Sequence, residues 1–471
     1  MRTHTIREWE SLSYGEGEGQ IPELLAARLA EVARSSPLAG SGGQGVLEEH
    51  RKHIRARGVV GVIAAPQGAR EILPKIDVAE ADPTARNAAI RKRLIHMLAV
   101  ALDLRIDLGR MTELDWQRDT LLEILIRVFA DKLTEAVRRG MPRQYRRDED
   151  DLPALRGTLD VTRQFTRHAV NPSRLACRFD ELSGDIALNR ILKATLGHLS
   201  RVSRSAANLQ KLRELGFVYA DVSDVPPAAL RWNEVILDRT NRSWAELLGM
   251  ARLFLLGRYQ TTSSGAGQGS ALLFEMNSLF EEYVGRLIAR RLRGTEFSVH
   301  LQGGRLFCLT SEPDGRGLFQ TKPDILIRRG GEVVHIIDTK WKRIAARVDD
   351  RKHGVSQSDV YQMMAYGHLY RTGRLTLLYP RHQGLDGSPV VLARNRITGW
   401  DTALETACVG IGNVAELMAD LDELFWLDAP AGASRRSLPA SASSGAFLRP
   451  PSGSTAYFLE DPLSGGRSLL T

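Results

Sequence analysis

KPDILIRRGGEVVHIIDTKWK, Lys322 to Lys342, is the stretch on which the reading of this chain turns. Asp324 opens an apolar run, Ile325-Leu326-Ile327, then Arg329-Gly330-Gly331 supplies a turn and Val333 to Ile337 returns, so the segment predicts a β-hairpin. Strand side chains alternate between faces, which sends Asp338 and Lys340 one way and Thr339 the other. Two carboxylates and a lysine then meet at neighbouring strand ends. Hard divalent ions such as Mg²⁺ take carboxylate oxygens and keep water in their remaining positions, an arrangement suited to in-line attack on a phosphodiester. A lysine beside such an ion orients or helps deprotonate the attacking water and offsets charge on phosphorus.

Working outward, the helix FEMNSLFEEYVGRLI (Phe274 to Ile288) directs its apolar residues to one side. At 100° per residue Glu281 falls near Asn277, Val284 and Ile288, whereas Glu282 falls on the wetter side, so Glu281 is the acid expected to face inward and complete a metal shell with Asp324 and Asp338. Downstream, SDVYQMMAYGHLY places Gln362 and Tyr366 four apart, one above the other on a helix face. The whole resembles the PD-(D/E)-x-K nucleases: Pro-Asp, thirteen intervening residues, Asp-x-Lys, and the Gln-x-x-x-Tyr pair that one branch of them sets beside the substrate backbone. Lys342 and Arg343 would add phosphate contacts that position a duplex without reading bases.

The wider organisation is mixed. Gly58 to Ala65 and Glu71 to Ile76, with turn residues between, predict a hairpin, and helices follow around Ile90 to Leu102, Leu121 to Phe129, Asp185 to Val202 and Trp244 to Leu256. Arg138 to Arg147, followed by Asp148-Glu149-Asp150-Asp151, reads as a solvated loop. TTSSGAGQGS, 261–270, reads as a connector. Beyond it, a helix over Ala271 to Leu292 and strands over Arg305 to Leu309, Asp324 to Arg328, Val333 to Lys340 and Leu375 to Tyr379, with a helix over Val355 to Tyr370, complete the pattern. The expected architecture is therefore multidomain, α+β or α/β: residues 1–260 a mixed β-hairpin and helical region, 271–430 a restriction-endonuclease-like domain, and 431–471, rich in Ser, Ala, Gly and Pro, a disordered tail.

Composition narrows the field further. The 471 residues are 43% hydrophobic and 25% charged, which is globular, and 64 Lys and Arg against 56 Asp and Glu leave a net charge of +8. Between Lys322 and Lys352, nine basic residues stand against five acidic ones, so half of that excess lies around the hairpin. Three widely separated cysteines provide neither a disulfide framework nor a CxxC site, and no apolar run approaches the ~20 residues of a membrane span. A cytoplasmic protein that avoids membranes is expected. There is no GxxxxGK[ST], and the GxGxxG of Gly40 to Gly45 lacks a preceding strand, which leaves nucleotide binding without a motif. His335, inside the second strand, reads as structural.

The resemblance extends beyond the hairpin. GVVGVIAAPQGAREILPKID (Gly58 to Asp77), RRGMPRQY (Arg138 to Tyr145), LRGTLDVTRQF (Leu155 to Phe165), CRFDELSGDIALNRILK (Cys177 to Lys193), MNSLFEEYV and DTKWK are together similar to the McrC family, the nuclease subunits of McrBC-type, modification-dependent restriction systems. It covers about residues 55 to 430. It implies an endonuclease that requires Mg²⁺, docks through its N-terminal region on an AAA+ GTPase of McrB type, stimulates GTP hydrolysis there, and cuts double-stranded DNA carrying modified cytosine, the GTP and the modification being bound by the partner. Asp324, Asp338 and Lys340 occupy the family's metal-binding and catalytic positions, together with Glu281. Two other readings compete: a stand-alone repair or recombination nuclease, and a non-catalytic adaptor that only activates the GTPase.

Overall fold

The structure, a computed structural model, describes residues 3–426 apart from 18, 42, 66–67, 79, 105–111, 171–172, 240, 256–268 and 345–353. The expected tail, 431–471, and most of the expected connector, 261–268, lie outside the described residues. The described residues up to Phe425 fall in one unit.

Two sheets organise it. The N-terminal sheet has the order Thr3–Arg7, Gly68–Leu73, Val59–Ala65, Ser270–Glu275, its central pair being the expected hairpin. Ser270–Glu275 departs from the sequence reading: the pattern predicts a helix from Ala271, but this run forms a strand antiparallel to Val59–Ala65, and the helix begins only at Met276 and ends at Arg291. SALLFE is apolar and buried on both faces, the signature of a covered strand rather than of an amphipathic helix. Gly61 makes the approach possible: its φ is +135°, and a Cβ there would lie 1.9 Å from the Leu272 carbonyl oxygen.

The C-terminal sheet has six strands in the order Phe297–Leu301, Ile325–Arg329, Glu332–Thr339, Arg374–Pro380, Ala403–Val409, Val391–Arg396. Its hairpin is the predicted one. Arg329 pairs with Glu332 across a two-residue turn in which Gly330 (φ +57°) and Gly331 (φ +94°) both take the left-handed conformation such a turn requires. The helix Gln357–Tyr370 then crosses over to the parallel neighbour Arg374–Pro380.

Strand alternation divides the core. Ile325, Ile327 and Ile337 face a cluster that also holds Met276, Phe280 and Tyr283 of the helix Met276–Arg291 and continues to Val60, Val62 and Phe274 in the N-terminal sheet. Leu326 and Ile336 face the opposite cluster with Met363 and Tyr366. One apolar core thus joins the two sheets, and the helix Met276–Arg291 touches strands of both. A buried ion pair fastens the N-terminal sheet to its helices: Glu71 accepts from Arg91 of the helix Pro83–Ala101 (2.6 Å), from Thr5 (3.0 Å) and from the backbone of Leu121 (2.9 Å), while Arg91 also reaches the Trp116 carbonyl.

The expected loop around Arg138–Arg147 is replaced in its second half by a strand, Gln144–Leu152, antiparallel to Leu175–Ser183. The strand is almost wholly exposed, so it carries no apolar period for a sequence reading to detect. Charge takes the place of that period: Arg146 lies opposite Glu181, Arg147 opposite Asp180 and Glu149 opposite Arg178. The three cysteines are free thiols. Among the described residues, no helix is long and apolar enough to cross a membrane.

Candidate active site

The hairpin register Ile325↔Ile337, carried one step further, sets Asp324 directly across from Asp338. Residues opposite each other in an antiparallel pair share a face, so both carboxylates emerge on the same side at the strand ends. Asp324 Oδ2 accepts from the Thr339 backbone N–H at 2.7 Å and from its hydroxyl at 2.9 Å. Asp338 is 1% exposed. Its Oδ2 is buried and receives no well-directed hydrogen bond, and the Lys340 ammonium approaches it to 2.5 Å as an ion pair. Lys340 is itself held at both ends: its backbone N–H donates to the Leu378 carbonyl at 2.9 Å, and Nζ donates to Gln362 Oε1 at 3.2 Å.

Burial pushes both aspartic carboxyls up to about 6; the Glu281 charge adds to this at Asp324, and the Asp324 charge adds to it at Asp338. Burial alone would lower the Lys340 pKa, but the Asp338, Asp324 and Asp359 carboxylates together outweigh it and raise the ammonium above its ordinary value. Two crowded, buried carboxylates make a donor set that fits a hard divalent cation, which takes one or two carboxylates and otherwise water.

Glu281 is close enough for its charge to act on Asp324, but its own carboxyl has a different partner. Its Oε1 accepts from Gln302 at 2.8 Å, its carboxyl is raised by burial and by the Glu282 and Asp338 charges, and among the described residues no three His, Cys, Asp or Glu side chains converge as a metal cage. The inward and outward assignment of the two glutamates is also reversed in burial: Glu282 is 8% exposed and pairs with Arg286, whereas Glu281 is half-buried. The helix Met276–Arg291 packs against the helix Pro83–Ala101, a neighbour that a single-helix projection does not contain.

Gln362 and Tyr366 do stack on one face of the helix Gln357–Tyr370. Gln362 Nε2 donates to the Tyr366 hydroxyl at 2.9 Å, which closes a chain Asp338–Lys340–Gln362–Tyr366. Burial first, then the Asp338 charge, push the Tyr366 phenol up to about 12. The two expected phosphate contacts are engaged elsewhere: Lys342 Nζ pairs with Asp359 at 2.5 Å and Arg343 pairs with Asp77. His335 is structural, as expected, buried with Nε2 2.8 Å from the Thr376 hydroxyl. Asp359, Thr339 and Gln302 were not found from sequence. Asp359 sits in the first turn of its helix behind a Ser356 cap and faces the basic run, a placement that shows only once helix and hairpin are brought together.

The sequence pattern of a family described as "McrBC 5-methylcytosine restriction system component" matches residues 54–380 of the chain. The chain belongs to this family. No curated protein sequence matches it. In fold, it is similar to a chain of the refined half-complex from the tetradecameric assembly of Thermococcus gammatolerans McrB AAA+ hexamers with bound McrC, at a TM-score of 0.65 and 19% identity over 90% of this chain and 100% of that one. A second similarity, to the cryo-EM structure of the Thermococcus gammatolerans McrBC complex, has a TM-score of 0.47 and 23% identity over 62% of this chain and 88% of that one.

Proposed function

We propose that this McrBC family member is the Mg²⁺-dependent DNA endonuclease subunit of a GTP-dependent restriction complex directed at modified cytosine, and that its six-stranded C-terminal sheet is a restriction-endonuclease-like module. The observation that carries this reading is the facing pair Asp324 and Asp338 with Lys340 in contact, at the ends of the central strands. Family membership, and the likeness to an assembly in which McrC is bound to McrB AAA+ hexamers, support docking on an AAA+ GTPase of McrB type. Stimulation of that GTPase belongs to the same proposal, as does the cytoplasmic setting.

Asp324 and Asp338, joined by Glu281, would hold the metal, which when bound would supply Lewis-acid polarisation of the phosphate. Lys340 Nζ, charged and pinned between Asp338 and Gln362, orients the attacking water and stabilises negative charge gathering on the phosphoryl oxygens. Thr339 holds Asp324 by two bonds, so the carboxylate does not swing away when charge redistributes. The Gln362 and Tyr366 pair fixes the side of Lys340 that faces the substrate backbone.

The test is cleavage of methylated DNA by the reconstituted complex. Lys340→Ala should abolish cutting while GTP hydrolysis by the partner remains stimulated. Persistent cutting would remove the site assignment, and a native chain that stimulates GTP hydrolysis but never cuts would favour the adaptor. Efficient cutting by the isolated chain without nucleotide would favour the stand-alone nuclease.

A further inference from the structure

Trp341 directly follows Lys340, at the point where the chain leaves the sheet. A hydrogen bond from the Lys342 N–H to the Lys340 carbonyl, 2.9 Å, closes a tight turn centred on Trp341. The direction of that turn is set from outside the hairpin. The indole Nε1–H donates to Glu8 Oε1 at 2.7 Å, and the ring lies 5.4 Å from that of Phe280.

Glu8 belongs to the other sheet, just past the strand Thr3–Arg7. It is 1% exposed, and its backbone N–H donates to the Leu73 carbonyl at 2.9 Å, continuing the pairing with Gly68–Leu73. The same Oε1 also accepts from the Lys75 N–H at 2.9 Å, so one buried oxygen gathers the edge strand, the exit of its neighbour and the residue after the lysine. A second fastening lies two residues on: Arg343 pairs with Asp77, whose other oxygen accepts from the Gln383 N–H at 3.2 Å. The strand end carrying Lys340 is therefore held by groups more than 260 residues earlier in the chain.

We infer that Glu8 is a positioning residue for the proposed cleavage reaction, acting through the Trp341 indole to fix the strand end that presents Lys340. The inference rests on the nuclease reading of that site. Both bonds to Oε1 come from neutral N–H groups, so what the role needs is an acceptor at that place and not a negative charge. Gln at position 8 supplies one; Ala does not. Trp341→Phe keeps the ring against Phe280 and deletes the donor.

The experiment measures single-turnover cleavage of modified DNA by the reconstituted complex at saturating DNA, with DNA affinity, partner GTP hydrolysis and melting temperature recorded for each variant. Glu8→Ala and Trp341→Phe should each slow cleavage about tenfold while DNA affinity and GTP hydrolysis stay within about twofold. Glu8→Gln should cut at the native rate, and Glu8→Ala combined with Trp341→Phe should be no slower than Glu8→Ala alone, because Trp341→Phe removes only a bond that Glu8→Ala has already lost. Native-rate cleavage by Trp341→Phe, multiplied losses in the double variant, or failure of Glu8→Gln to restore cutting would each overturn the positioning role. A loss that instead follows melting temperature and GTP hydrolysis together would reduce the contact to a fold support and overturn it equally. Lys340→Ala runs alongside: cutting retained there refutes the nuclease site itself, whereas cutting lost there but unchanged in Trp341→Phe refutes the positioning role alone. Should Glu8→Ala fail to fold, Trp341→Phe decides the matter.

Discussion

Removing a charge from the candidate site should make the protein more stable. Asp338 is 1% exposed, and burial together with the Asp324 charge raises its carboxyl from 3.8 to about 6. Holding it ionised in the folded chain therefore costs about 3 kcal/mol, from about two pH units at about 1.4 kcal/mol each. Asp338→Asn keeps the shape and deletes the charge. Because the folded pKa lies above the unfolded one, the penalty is absent below about pH 4, grows as pH rises towards 6, and is complete above that. For a cooperative unit of about 400 residues, with an unfolding entropy of about 2 cal/mol/K per residue, 3 kcal/mol amounts to a rise in Tm of about 3–4 °C. The assay is thermal unfolding of native and Asp338→Asn chains at pH 4, 6 and 8, with and without Mg²⁺. The variant should melt higher at pH 8 without the ion, the gap should close by pH 4, and Mg²⁺ should raise the native chain more than the variant, since ion binding relieves the same repulsion. A variant that melts at or below the native chain at pH 8, or an equal response of both to Mg²⁺, would refute this electrostatic account.

Two further outcomes follow from the packing of the N-terminal half. Arg91→Met strips the buried Glu71 carboxylate of its guanidinium, so chemical denaturation should register a loss of about 3–5 kcal/mol; a loss under about 1 kcal/mol would mean that Thr5 and the Leu121 amide suffice. A fragment ending at residue 260 lacks the strand Ser270–Glu275 and leaves one edge of the N-terminal sheet open, so it should aggregate faster in light scattering than a fragment extended to Arg291; equal behaviour of the two would show the strand to be dispensable.

What could be read from the sequence followed local periodicity. The 322–342 hairpin, with its paired glycines, and the Gln362 and Tyr366 stack are short-range patterns, and both stand in the structure where the residues put them. Ser270–Glu275 was missed because a run buried on both faces has no alternation and joins smoothly onto a helical period. Glu8 carries no sequence signal at all: an acid in a charged opening stretch becomes a buried acceptor only because the fold delivers Trp341 to it. The Glu281 and Glu282 reversal has the same origin, as a helical wheel knows the helix but not its neighbours.

In the three-stranded sheet of Gln144–Leu152, Leu175–Ser183 and Thr158–Leu159, the edge strand Gln144–Leu152 lies mostly in solvent, so its alignment on Leu175–Ser183 is written in charge. Sliding the strands by two residues keeps every side chain on its face, yet in one direction it brings Asp148 against Glu181 and Glu149 against Asp180, and in the other Arg147 against Arg178. Such an edge strand keeps its alignment through opposite signs rather than particular residues, so across its relatives these positions should change sign in pairs, and single reversals should be rare.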